Sequence, residues 1–129
     1  MDKTTLLLYE FSQGEQVQLT TMLGFLPEIQ VIAVPRSGHS MALEELLRGT
    51  KPPALGYGTP LERKLLVIAN ARGQMLNMLL SAVGQVTKGQ RILRAVLTET
   101  NRSWTGSYLY AHLLEEEAEL QALAPGRKS

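Results

Sequence analysis

The chain has 129 residues, 44% of them hydrophobic, with thirteen basic residues against twelve acidic ones for a net charge of +1. That size supports one domain, or two small halves sharing a core, and the near-neutral charge argues against a nucleic-acid or anionic-membrane partner. With no cysteine, disulfides, thiolate metal sites and cysteine nucleophiles are excluded.

Thr5 to Phe11 is a short apolar run that reads as a strand. The first apolar stretch, Leu6 to Tyr9, is too short for a signal peptide, and no stretch approaches the ~20 apolar residues of a membrane span. The expectation is a cytoplasmic protein. Ser12 followed by Glu15 is a capping-box signature, and Leu19, Met22, Leu23 and Leu26 then fall on one helix face. Gly24 and Pro27 end that helix. Ile29 to Val34 is a second strand, Pro35 to Ser40 a loop, and Met41 to Arg48 a short helix closed by Gly49.

Thr50 to Leu61 holds three prolines and two glycines, which sustain neither helix nor central strand. It reads as a connection that can cover a site, with Tyr57 pinning it to the surface. Leu65 to Ala69 is a third strand. A helix with Leu79, Val83 and Val86 on one face follows, then a strand from Ile92 to Leu97 and a last helix from Trp104 to about Leu123. The tail 124–129 is expected to fray.

The second half echoes the first. Leu65–Ala69 matches Leu6–Glu10, Gly84 sits where Gly24 does, and Ala95 where Ala33 does. The expectation is one α/β domain of two β-α-β-α pseudo-repeats, 4–49 and 63–123, joined by 50–62. Alternating strands and helices predict right-handed crossovers and a mainly parallel four-stranded sheet in the order 2-1-3-4, flanked by helices. Nearly continuous apolar strands fit a sheet covered on both faces. The rival is a ferredoxin-like α+β sandwich with a hairpin between the second and third strands.

A parallel sheet would gather four loops at its carboxyl edge, where ligands of such folds bind. The densest polar cluster, Thr98-Glu99-Thr100-Asn101-Arg102-Ser103-Trp104, lies on one of them. Its counterpart is Pro35 to Met41. The candidate binding residues are Arg36, His39, Asn70, Arg72, Thr98, Asn101, Arg102 and Trp104. Arginines give bidentate contacts to carboxylate or phosphate, so a small anionic ligand is expected at this edge. A plainer role exists for several. Asn101 or Ser103 can simply cap the last helix, and Trp104 can pack on Tyr108 one turn later.

His39, in a Gly/Ser loop, is the better histidine for acid/base work. It could serve a Ser37 or Ser40 nucleophile with Glu10, although the flanking pattern is no nucleophile elbow. A small hydrolase or transferase using His39 with the 98–102 turn is therefore the alternative function. His112 with Glu115 or Glu116 is a lone helical pair, so no metal site is expected, and no cofactor fingerprint is present. Met75, Met78, Leu79 and Leu80 make a helix apolar on more than one side, either buried or facing a protein partner such as a second copy of the chain.

The run Ala95 to Trp104, with its Thr98-x-x-Asn101-x-x-Trp104 turn, followed by Leu113-Leu114-Glu115-Glu116-Glu117, resembles a small bacterial family known only as a domain of unknown function. The resemblance covers about 65–119. It implies a β-α-β-α unit and a bacterial source, and imports no activity. The first half departs from the motif, with Pro35 to Met41 in place of the Asn and Trp turn.

Overall fold

Three apolar residues in a row, Leu6, Leu7 and Leu8, are each at most 1% exposed. A strand with both faces covered hides consecutive side chains this way. The structure, a computed structural model, describes residues 3–26, 28–53 and 58–123. Pro27, Tyr57 and the tail 124–129 lie outside the described residues. Four strands, β1 (Thr4–Tyr9), β2 (Ile29–Val34), β3 (Leu65–Ala69) and β4 (Leu93–Val96), form one sheet in the order β2-β1-β3-β4. Four helices cover it: α1 (Gln13–Leu23), α2 (Leu43–Leu47), α3 (Gly73–Thr87) and α4 (Gly106–Leu123).

Side chains alternate across the sheet. Leu6, Leu8, Leu66 and Ile68 pack with Leu19 and Leu23 of α1 and Leu79 and Val83 of α3. Leu7, Tyr9, Leu65 and Val67 face the other way, onto Leu43 and Leu46 of α2 and Leu109 and Tyr110 of α4. Each fully buried leucine contributes roughly 1.5–3 kcal/mol of transfer free energy, so these two layers supply most of the driving force. The local signals hold where chemistry enforces them. Ser12 and Glu15 form the expected capping box at the start of α1, and Gly49 closes α2 at a φ of 91°.

The sheet is mixed, not mainly parallel. β1 pairs parallel with β2, and β3 with β4, but the central pair β1–β3 is antiparallel. The cause is the connection after α2. Arg48, just past the end of α2, lines the same groove as Lys3 and Thr5, near the start of β1. A third strand starting there would run parallel to the first. Instead the described residues on either side of 54–57 lie at the other end. There Gly38, beyond β2, faces Pro52, and the Leu61 N–H donates to the Glu10 carboxylate at 2.9 Å. β3 must therefore start opposite Tyr9, as the Tyr9–Leu65 pairing records.

The strand order and register are symmetric about the Leu7–Val67 pair. By that symmetry Leu65–Ala69 corresponds to Thr5–Tyr9, one residue out from the match read off the sequence. Glu10 and Asn70, the residues directly after β1 and β3, then hold equivalent places. Both are left-handed, with φ of 66° and 64°, a region that costs a non-glycine residue roughly 1 kcal/mol.

Candidate functional site

Because the central pair is antiparallel, the carboxyl ends of β1 and β2 lie at one end of the sheet and those of β3 and β4 at the other. The expected common edge does not exist. Arg36 and His39 sit at the first end, and Asn70, Thr98, Asn101 and Arg102 at the second. The two turns instead run past each other. Ala42 and Thr105 form an antiparallel bridge, the Leu43 N–H donates to the Trp104 carbonyl at 2.9 Å, and the Ser107 N–H to the His39 carbonyl at 3.1 Å.

At the second end the turn after β4 is self-contained. Asn101 Oδ1 accepts from the Thr98 N–H at 2.8 Å, Thr98 Oγ1 accepts from the Asn101 N–H at 3.1 Å, and Asn101 Nδ2 donates to the Val96 carbonyl at 3.0 Å. Asn101 is 7% exposed, so its amide is occupied in holding the turn. The N-cap of α4 is neither Asn101 nor Ser103. It is Thr105, whose Oγ1 accepts from the Tyr108 N–H at 3.0 Å. Asn70 ties the ends of two strands together: its Nδ2 donates to the Lys3 carbonyl at 3.1 Å, and its own carbonyl accepts from Thr4 Oγ1 at 2.8 Å.

These restraints shape an open groove of about 650 Å³ between α2 and the 98–102 turn, within the range typical of ligand sites. Asn70, Thr98 and Arg102 line it, joined by Lys3, Thr5, Gln30, Glu44, Arg48 and Glu99. Arg102 is held at 3.3 Å by both Glu44 and Glu99. Lys3 and Arg48 have no carboxylate partner among the described residues. The groove thus offers two cations with no acid partner among the described residues, a third fixed by acids, and the Thr98 hydroxyl, whereas the Thr5 hydroxyl already donates to the Lys3 carbonyl at 3.1 Å. Arg72 stands apart, on a shallower depression with Ala71, Leu76 and Val96 that shares Asn70 and Leu97 with the groove.

The first end is closed. Glu10 accepts Arg36 in bidentate fashion at 3.2 and 3.0 Å, as well as the Leu61 N–H. Burial pushes its carboxyl up, but the Arg36 hydrogen bond, the Leu61 N–H and the Arg36 charge outweigh that and hold it below the ordinary value. His39 is 2% exposed. Its Nδ1 lies 3.0 Å from the Thr59 carbonyl, which can only accept, so Nδ1 carries the proton. Nε2 faces Glu10 Oε2 at 3.9 Å, and the ring packs on Tyr9 at 5.5 Å. Burial pushes the Tyr9 phenol far up. Gly58 lies against the Arg36 carbonyl, where no Cβ fits. His39 is thus a packed residue beneath segment 58–61, out of reach of the 98–102 turn.

Trp104 lines neither end. Its ring packs edge-on against Tyr108 and His112 of α4. Among the described residues no group of three His, Asp or Glu side chains could hold a metal ion, and no helix is long and apolar enough to cross a membrane.

Sequence reasoning missed Lys3, Thr5, Gln30, Glu44 and Arg48. They reach the groove only because β1 starts where β3 and β4 end, and no local pattern reports that pairing.

The fold and groove define a four-stranded mixed α/β domain with helices on both faces and a polar groove at one end of the sheet. Residues 64–120 match the family described as "Domain of unknown function (DUF3783)", in line with the resemblance read from the second half. No curated protein and no solved structure matches the chain. The matched span carries Asn70, Thr98, Glu99 and Arg102, whereas Lys3, Glu44 and Arg48 come from outside it, so the groove draws its walls from both halves.

Proposed function

We propose that this protein is a binding module whose groove between α2 and the 98–102 turn takes a small anionic ligand. One observation carries the reading. Lys3 and Arg48, cations without an acid partner among the described residues, converge with Arg102 and Thr98 on one cavity. Charge-assisted hydrogen bonds from such groups favour phosphate or carboxylate. The two halves are read as a duplicated unit, on the strength of the symmetric register and the left-handed Glu10 and Asn70. Duplication would then have left the second half with the family motif and the first with the free cations.

The test is a thermal-shift titration with inorganic phosphate, pyrophosphate and citrate. A ligand at a hundred times its Kd stabilises by about 2.7 kcal/mol, a shift of several degrees. Arg48→Ala should remove that shift without lowering the melting temperature of the free protein. No shift with any of the three anions would overturn the reading.

A protein partner is the second reading, and Phe25 favours it. This residue is 78% exposed beside an apolar depression formed by Met22, Leu26 and Met78. Bulky apolar side chains gathered at one exposed spot mark contact surfaces. We take a second copy of the chain as the partner at this α1–α3 face.

A further inference from the structure

β4 is an edge strand in the order β2-β1-β3-β4, and part of its outer rim is unpaired. Alternate residues of a parallel strand turn both their N–H and their C=O to the neighbour. On β4 these residues are Leu93 and Ala95, followed by Leu97. The Leu93 and Leu97 N–H groups donate to the Lys64 and Ile68 carbonyls, each at 2.9 Å. Arg94 and Val96 therefore aim their backbone groups away from β3. Asn101 Nδ2 occupies the Val96 carbonyl at 3.0 Å. That leaves the Arg94 N–H, the Arg94 carbonyl and the Val96 N–H without a partner among the described residues. Both residues are exposed.

The side chains along this rim decide what fits it. Arg94 and Val96 stand on the α3 face of the sheet, as does Ile68 opposite Val96. Beside Val96 lies the depression of about 550 Å³ that Ile68, Ala71 and Leu76 line. Beside Arg94, a cavity of about 360 Å³ gathers Arg63, Arg91 and Arg94 around one carboxylate, Glu117. Arg63 and Arg91 engage Glu117, and Arg94 has no acid partner among the described residues. The rim thus sets an apolar position two residues from a positive one. A second copy of β4 fits poorly. Antiparallel pairing centred on Arg94 puts two arginines opposite each other, which is destabilising. Centring it on Ala95 sets the Arg94 N–H against the occupied Val96 carbonyl. An edge charge that wards off self-pairing at the same time attracts an acid.

We propose that the free rim of β4 takes an extended, acidic segment of a partner protein as a fifth strand. The segment runs antiparallel to β4, the more stable pairing per residue. It exchanges two hydrogen bonds with Arg94 and accepts a third from the Val96 N–H. Residues opposite each other in a strand pair share a face. An apolar side chain opposite Val96 therefore lies by the depression, and a carboxylate two positions later lies by Arg94. Main-chain bonds supply the attachment and the two side chains the selectivity. The site is separate from the anion groove and does not depend on it.

The probe is the acetylated, amidated peptide Thr-Val-Thr-Glu-Thr, followed by amide chemical shifts of the full chain. The Arg94 and Val96 resonances should move saturably at millimolar peptide. Methylating the peptide nitrogen of Glu removes the bond to the Arg94 carbonyl and should weaken binding by roughly three- to tenfold. Replacing that Glu by Gln should weaken it by about two- to fivefold. Arg94→Glu should reverse the preference, so that the peptide with Lys in place of Glu binds more tightly. Arg48→Ala, in the anion groove, should leave peptide affinity unchanged. Should Arg94→Glu fold poorly, the methylated peptide on the parent protein carries the test. No saturable movement of the two amides, equal affinity for the methylated peptide, or an unreversed preference in folded Arg94→Glu would each overturn the proposal. So would movement of the same amides with protein concentration alone, which would assign the rim to a second copy.

Discussion

Replacing Asn101 by alanine separates a scaffold from a ligand contact. The amide joins the Thr98 N–H at 2.8 Å and the Val96 carbonyl at 3.0 Å, in a residue only 7% exposed. Each lost bond costs about 1 kcal/mol net, and more where a partner stays dry, so the sum is about 2–3 kcal/mol. For 129 residues the unfolding entropy is roughly 0.27 kcal/mol/K, which converts that loss to about 7–11 °C in melting temperature. Arg102→Ala, one residue on, removes only ion pairs of a side chain 46% exposed and should shift melting far less. Differential scanning calorimetry at pH 7 makes the comparison. An Asn101→Ala melt within about 2 °C of the parent would refute the reasoning, because the turn would then hold without its amide.

Glu10→Gln should cost about 1–2 kcal/mol at pH 7, from the charged part of its hydrogen bonds. The Glu10 carboxyl is held below its ordinary value of 4.5. Its contribution is therefore complete above that pH and is lost as the pH falls through the lower folded value. The gap between the two proteins in urea melts should close on acidification, and a gap that widened would contradict this. Gly106→Ala would set a methyl 2.9 Å from the Tyr9 hydroxyl and closer still to its ring. Tyr9 is fully buried and cannot step aside, so a loss of about 1–3 kcal/mol is expected in the same melts. Phe25→Ser should leave stability within about 0.5 kcal/mol while converting a concentration-dependent dimer to monomer in sedimentation velocity. A parent protein that stays monomeric at all concentrations would remove the α1–α3 interface.

Much of the fold was legible because local physics enforces it. The Ser12–Glu15 box, the continuous apolar strands and the leucine faces of α1 and α3 all respond to neighbours in sequence, and the β1–β2 and β3–β4 pairings follow from crossovers through a single helix. The direction of β3 was not legible. It depends on where Thr59 and Leu61 attach, at His39 and Glu10, and nothing in a Pro/Gly-rich segment names its anchor. That one reversal moved His39 and Arg36 away from Thr98 and Arg102, and brought in Lys3 and Arg48. Asn101 was legible as a polar turn residue, but its role was not. Only the buried amide with both ends engaged tells a strut from a contact.

The account's central claim is that the anion site lies between α2 and the 98–102 turn. Amide chemical-shift mapping during a phosphate titration tests it most directly. The resonances of Thr5, Arg48, Asn70 and Thr98 should move together along one binding curve, while those of Arg36, His39 and Leu61 stay still. Movement confined to the Arg36–Leu61 end, or no saturable movement anywhere, would contradict it.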